Sequence, residues 1–190
     1  MIQDTFVLTI HMVSSLDGFI AKKDNNISWF EASCHYERGV SGQDPVEFLK
    51  TIDCYVMGSK TYELALELSK SYGWAYGDKP TIVVSSRNLP NERQNLEFYD
   101  GDLTSLVNER LRPNYKSVWL VGGASLARDF IQLNLAEEIR ISILPILLGD
   151  GTLLFDHLGI EQLLNLKEVT AYKNGMVELW YALKKDKKKI

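Results

Sequence analysis

A chain of 190 residues, 45% hydrophobic and 24% charged, has the balance of one ordinary globular domain and is long enough to bury roughly 70% of its unfolded surface. Its formal net charge of -4 argues against a general nucleic-acid binder, whose footprint would be basic. No apolar run approaches the ~20 residues of a membrane span, the N-terminus lacks a basic-then-apolar leader, and Cys34 and Cys54 have no C-x-x-C spacing, so a cytoplasmic protein with free thiols is expected.

The first predicted element, Phe6 to Val13, is a buried strand with Phe6, Leu8, Ile10 and Met12 on one side and Val7, Thr9, His11 and Val13 on the other. Leu16-Asp17-Gly18-Phe19 is a turn, followed by a polar loop over Lys22 to Asn26 and an aromatic pair at Trp29-Phe30. Asp44-Pro45-Val46-Glu47 carries a capping-box spacing and opens a helix that ends near Thr51. Tyr55 to Met57 is a short strand, and Thr61 to Ser69 a helix with Tyr62, Ala65, Leu66 and Leu68 as its apolar stripe.

A loop over Tyr72 to Gly77 leads to strands at Thr81–Val84 and Leu96–Tyr99, then a helix at Leu103–Leu111. Strand Val118–Val121 and helix Leu126–Leu133 follow, and Ile139–Leu148 is a β-rich stretch containing Pro145. Leu166–Tyr172 and Met176–Leu183 form a hairpin about Asn174-Gly175. Strands alternate with helices to about residue 135 and then follow one another. The expected fold is therefore a single three-layer α/β domain over residues 1–183, its mostly parallel mixed sheet flanked by helices and ending in antiparallel strands. The basic run over residues 184–190 reads as a solvated tail.

Two strand-to-helix turns point to function. In Met57-Gly58-Ser59-Lys60-Thr61 and in Val121-Gly122-Gly123-Ala124-Ser125-Leu126, an apolar strand stops at glycine and a helix begins. The first N–H groups of a helix have no internal partner, and its dipole favours an anion there. Glycine lets that anion approach the backbone. Two such turns suit a ligand with phosphate at more than one point, such as a dinucleotide. Neither is a G-x-G-x-x-G or a G-x-x-x-x-G-K-[ST] motif.

Five segments in this order resemble the dihydrofolate reductase superfamily, and in particular its branch related to the reductase domain of bacterial riboflavin biosynthesis. They are Ser15-Leu16-Asp17-Gly18-Phe19-Ile20-Ala21, Met57 to Glu63, Val83-Val84-Ser85-Ser86-Arg87, Val121 to Ala124, and Leu144-Pro145-Ile146-Leu147-Leu148-Gly149-Asp150-Gly151. The resemblance implies an NADPH-dependent reduction of a C=N or C=O bond in a pterin-like or pyrimidine-like molecule, by a homodimer.

By the same resemblance, Gly58, Ser59, Lys60 and Thr61 would meet the cofactor pyrophosphate, and Ser85, Ser86 and Arg87 its 2′-phosphate. Gly122, Gly123, Ala124, Ser125 and Leu126 would wrap its middle, with a cis peptide between the glycines. Ile20 and Ala21 would border the nicotinamide under a mobile Asp17-Gly18 loop. Ser59 stands where the family often has arginine, and Gly77-Asp78-Lys79-Pro80 places an acid where folate enzymes want a cation, which speaks against dihydrofolate. Two isolated cysteines cannot supply the H-x-E … P-C-x-x-C zinc set of the deaminase half, so no metal is expected.

Single residues keep two readings. A proton donor is needed for C=N reduction, and Asp44 lies near the place of the family's acid, yet it also completes a helix cap. His11, Asp17 and Phe48 are candidate substrate contacts; a strand histidine is also a packing residue, and Asp17 also shapes its turn. Trp119 and Trp180 read as core, Glu138 and Asp150 as solvated loop or helix-end residues. Alternatives to the general reductase are a stand-alone 5-amino-6-ribosylaminouracil phosphate reductase and a nucleotide-binding module without turnover.

Overall fold

Six strands run parallel, and helices cover the sheet they form on both faces. In Cys54–Gly58, four consecutive residues are buried, as a central parallel strand requires. The structure is a computed structural model that describes residues 6–33, 45–91 and 93–184. The strands are β1 (Val7–Ser15), β2 (Phe19–Ala21), β3 (Cys54–Gly58), β4 (Thr81–Val84), β5 (Leu96–Tyr99), β6 (Ser117–Gly122), β7 (Glu138–Leu144), β8 (Thr152–Leu153), β9 (Leu164–Ala171) and β10 (Val177–Leu183). Eight of them form one sheet in the order β5-β4-β3-β6-β1-β7-β10-β9, parallel from β5 to β7 and antiparallel where β10 joins β7 and β9. The expected fold class is what the chain adopts.

Helices α1 (Pro45–Thr51), α2 (Ser59–Tyr72) and α5 (Ala124–Gln132) are separate elements. Between β5 and β6 a composite helix runs through α3 (Leu103–Ser105), a π-helical segment (Leu106–Leu111) and α4 (Arg112–Asn114). The π segment buries Leu106, Val107 and Leu111. One face of the sheet packs Leu8, Ile10, Met12, Val56 and Leu120 against Ala127, Phe130 and Ile131 of α5 and against the π segment, forming the main core. Ala127, Phe130 and Ile131 recur at the spacing of one helix face. The opposite face carries Tyr55, packed with Phe48 and Ile52 of α1, and Met57 and Val83, packed with Tyr62 of α2.

Several details differ from the sequence expectation. Leu68 is exposed rather than part of the α2 stripe, because Tyr62 and Leu66 alone reach the sheet-side cluster. The second glycine-turn helix begins at Ala124, two residues earlier than expected, and β7 stops at Leu144 because Pro145 has no N–H for the ladder. A two-stranded ribbon of β2 and β8 was not anticipated; it joins the loop after β1 to the loop after β7. The Asn174-Gly175 turn lies between β9 and β10, with Gly175 at φ +88°.

Glu138 is a strand residue, 9% exposed, and accepts a hydrogen bond from Trp180 Nε1 at 2.7 Å besides pairing with Lys167. Its sequence neighbours resemble a helix end, but it opens β7, where one lysine and an indole meet its carboxylate. Trp180 is half-buried between the cationic groups of Arg140 and Lys167 rather than in an apolar core. Lys79 holds α1 in place, its Nζ donating to the carbonyls of Leu49 at 2.9 Å and Ile52 at 2.5 Å. No helix among the described residues is long and apolar enough to cross a membrane.

Candidate functional site

The C-terminal ends of the parallel strands are where an open α/β sheet receives ligands. At that edge the two glycine turns lie side by side, since β3 and β6 are neighbours and Met57 is in register with Gly122. A Cβ on Gly58 would stand 3.8 Å from both the Gly122 carbonyl oxygen and the Gly123 nitrogen. Gly58 caps α2 and Gly123 caps α5, and neither cap supplies a side-chain hydrogen bond. Two helix N-termini therefore present backbone N–H groups over one small area, a cradle suited to phosphate. Gly122 sits at φ +132°, where a side chain would also press on Met12 at 3.0 Å, so only glycine fits. The Gly122–Gly123 peptide is cis, as the resemblance implied.

Beside this cradle, β4 ends at Ser85-Ser86-Arg87. The Arg87 N–H donates to Ser85 Oγ at 3.0 Å, and its guanidinium donates to Glu63 Oε2 at 2.7 Å across to α2. Arg87 and Glu63 are both about half exposed. Lys60 is exposed and Ser59 half-buried in the first turn of α2. The strand order thus aligns the Ser85, Gly58 and Gly122 turns along one edge.

Next to the cradle is a cavity of about 340 Å³, within the size range of small-molecule sites. Its walls include Ile20, Phe48, Trp119 and Val121, and Thr61 and Gly123 bring it up to the glycine turns. His11 and Phe48, expected at the substrate, thus share one space with Ile20, Thr61 and Gly123, expected at the cofactor. Ala124 and Ser125 border a second hollow of about 310 Å³ with Arg128, Gly151 and Thr152. Trp119, read from sequence as core, is half-buried and forms a cavity wall; its indole Nε1 donates to the His11 carbonyl at 2.8 Å and its ring stacks on His11.

Asp17, Ala21 and Leu126 are not among the residues that line the cavity. Asp17 accepts from Ser15 Oγ at 2.6 Å, Leu148 N at 3.1 Å and Gly149 N at 2.7 Å, so its carboxylate fastens two loops. The Ser15 bond, ahead of the two amides, holds Asp17 below the usual carboxylate range. Ala21 lies in the β2–β8 ribbon, where Gly151 comes so near its carbonyl that no Cβ would fit between them. The Leu126 side chain packs on the main core and near Gly58, leaving its backbone at the turn. Asp44 lies outside the described residues. Asp150 is a solvated loop residue paired with Lys23.

The cavity floor holds a polar group that the sequence did not single out. Arg140 and Ser142 of β7 and Glu178 of β10 share a sheet face with His11 of β1, because His11 is in register with Arg140 and Glu178 with Ser142. Arg140 Nη2 donates to Glu178 Oε1 at 2.5 Å, and Ser142 Oγ donates to Glu178 Oε2 at 3.2 Å. Burial alone would push the Glu178 carboxyl up, but hydrogen bonds from His11 and Arg140 and the Arg140 charge outweigh it and hold it at about 2. Burial pushes the His11 pKa down, and Glu178 opposes this only in part. A signal existed: Glu138, Arg140 and Ser142 alternate with isoleucines in a strand that a three-layer fold must bury on both faces.

The family model described as RibD C-terminal domain matches residues 7–178. The Bacillus subtilis (strain 168) protein YwjB is 28% identical over 172 residues, covering 90% of this chain and 95% of YwjB. A 2,5-diamino-6-ribosylamino-4(3H)-pyrimidinone 5′-phosphate reductase from Aquifex aeolicus (strain VF5) is 29% identical over 83 residues, covering 38% of this chain and 37% of that protein. A structure from Shewanella sp. PV-4 assigned to riboflavin biosynthesis superposes with a TM-score of 0.79 at 23% identity, covering 95% of this chain and 100% of that one, which bears on the fold.

Proposed function

This chain belongs to the RibD C-terminal domain family, and on that premise we propose that it is an NADPH-dependent reductase acting on a pterin-like or pyrimidine-like small molecule. One observation carries the reading: two glycine-capped helix N-termini, without side-chain caps, meet at the mouth of a cavity walled by Phe48, Trp119 and Ile20. The backbone cradle fits a pyrophosphate, and the cavity fits a flat ring.

In this reading the cofactor supplies a hydride to the substrate ring. The N–H groups of Gly58, Ser59, Lys60 and Thr61 hold phosphate oxygens together with those of Gly123, Ala124, Ser125 and Leu126. Ser85, Ser86 and the Arg87 fork hold the 2′-phosphate, for which Arg87 has to leave Glu63. Ile20 and Ala21 border the nicotinamide side, and the loop that Asp17 fastens covers it and excludes water. His11 and Phe48 contact the substrate from the far wall. The proton for the reduced bond is assigned to Asp44, which directly precedes α1, the helix that brings Phe48 to the cavity. The enzyme works as a cytoplasmic homodimer.

Titration with NADPH, followed by cofactor fluorescence, tests the binding half. A saturable change at micromolar to low millimolar cofactor is expected, and its absence overturns the reading. Oxidation of NADPH across a panel of pterins and pyrimidines tests turnover; binding without oxidation anywhere in the panel favours the non-catalytic module instead. A second reading is a stand-alone 5-amino-6-ribosylaminouracil phosphate reductase; the Aquifex relative, matched over 37% of its length, is named for reduction of another ribosylaminopyrimidine 5′-phosphate and so supports that class of substrate. Complementation of a strain lacking only that step decides it, with growth without riboflavin as the positive result.

A further inference from the structure

The hydrogen-bond order on the cavity floor fixes which nitrogen of His11 carries its proton. Arg140 keeps Glu178 an anion, so both carboxylate oxygens only accept. The Ser142 hydroxyl gives its hydrogen to Glu178 Oε2 and is left with lone pairs towards His11. His11 Nε2 faces Ser142 Oγ at 3.4 Å and Glu178 Oε2 at 3.5 Å, two acceptors, so Nε2 must be the donor. A neutral imidazole has one N–H, which leaves Nδ1 as a bare lone pair. That atom is buried and has no hydrogen-bond partner among the described residues, while the ring itself lines the cavity. Trp119 stacks on the ring at 4.9 Å and Phe48 meets it edge-on at 5.2 Å, so its plane is set.

We propose that His11 determines specificity in this cavity: held by Ser142 and Glu178 as the Nε2–H tautomer, it accepts at Nδ1 a hydrogen bond from an N–H on a flat heterocycle and rejects an oxygen acceptor placed there. The inference rests on reading the cavity as the substrate side of a reductase. A buried acceptor without a partner is costly, and an incoming donor relieves that cost. An acceptor in the same place sets two lone pairs against each other. Ser142 and Glu178 act through His11 and are positioning residues. Heterocycles that direct an amino group or ring N–H at His11 are therefore the favoured class.

The full chain with ¹⁵N-labelled histidine reports the tautomer directly. It has three histidines, His11, His35 and His157, so His35→Gln and His157→Gln assign the His11 signals. At neutral pH the long-range ¹H–¹⁵N spectrum is expected to show a protonated Nε2 and a bare Nδ1. An Nδ1–H tautomer or an imidazolium overturns the proposal, and this reading needs no variant at the floor itself. Ser142→Ala leaves Glu178 Oε2 facing Nε2, so the Nε2–H tautomer is expected to persist with the Nε2 signal moved and the fold, read by backbone amide dispersion, intact; a switch to Nδ1–H overturns the role of Glu178.

Indole and benzofuran, two rings of one shape with N–H in one and oxygen in the other, test the acceptor. Indole is expected to move the Nδ1 signal and to bind about tenfold more tightly. Equal affinity, tighter benzofuran, or no binding of either overturns the proposal. NADPH fluorescence on the same sample stands apart from both readouts, so failure of the cofactor reading is seen separately.

Discussion

The glycine cradle, at the strand ends, and the cavity floor, on a face of the same sheet, are built on opposite plans. The cradle is backbone: Gly58 and Gly122-Gly123 clear away side chains so that helix N–H groups face outward. The floor is side chain: Arg140, Ser142, Glu178 and His11 come from three strands and hold one another. A backbone site accepts phosphate from many ligands, whereas a side-chain site with a fixed donor order discriminates among rings. Under the proposed function one region would supply grip and the other choice, so substitutions should separate them.

The largest expected effect tests whether the floor is a unit. Glu178→Leu leaves the Arg140 guanidinium, 2% exposed, without its anion, and should cost about 3–5 kcal/mol in urea unfolding. Adding Arg140→Met should recover most of that loss; a double variant as unstable as the single one would break the claim that the pair is the cause. On the cradle side, Arg87→Ala should weaken NADPH by about 1.5–3 kcal/mol, roughly tenfold to more than a hundredfold, and leave NADH almost untouched. Equal weakening of both would show that Arg87 does not meet the 2′-phosphate. Glu63→Gln should tighten NADPH, because it frees the Arg87 fork from its exposed pair.

Acid should reach the floor before the cradle. Glu178 is held at about 2 against 4.5 unfolded, so the stability it lends is complete above 4.5 and is lost as pH falls towards 2. The His11 pKa is lowered from 6.5, so below 6.5 the unfolded chain takes up a proton that the buried ring resists, and stability falls there too. Urea midpoints should therefore drop in two stages, and His11→Asn should flatten the upper one. The smallest effect expected is from Ser59→Arg, which should favour NADPH a few-fold at low salt and lose that gain as Debye screening shortens.

What the sequence disclosed follows the same division. Gly58, Gly122 and Gly123 were legible because turn chemistry is local: strand, glycine and helix stand within ten residues. Asn174-Gly175 was legible for the same reason. Arg140, Ser142 and Glu178 were not, since what makes them a group is register between β7, β10 and β1, and the contacts within it reach 167 positions, from His11 to Glu178. Trp119 looked like core because an indole in a strand carries no mark of the cavity it borders. The Asp17 hook was half visible: the turn could be read, but not the Leu148 and Gly149 amides it would reach.

The π-helical turn between β5 and β6 records how this chain tolerates a change of length. Leu106, Val107 and Leu111 face the core at spacings of one and five, one residue wider than an α-helix would set them, while Asn108, Glu109 and Arg110 face water. Removing Glu109 restores the ordinary spacing of one and four and leaves Arg110 beside Glu97. That deletion should be absorbed in place, with circular dichroism and melting showing an intact fold. The same excision inside β1 would turn every following side chain to the wrong face of the sheet. Within this helix, unlike the strands it joins, the genetic text can lose a letter and keep its meaning.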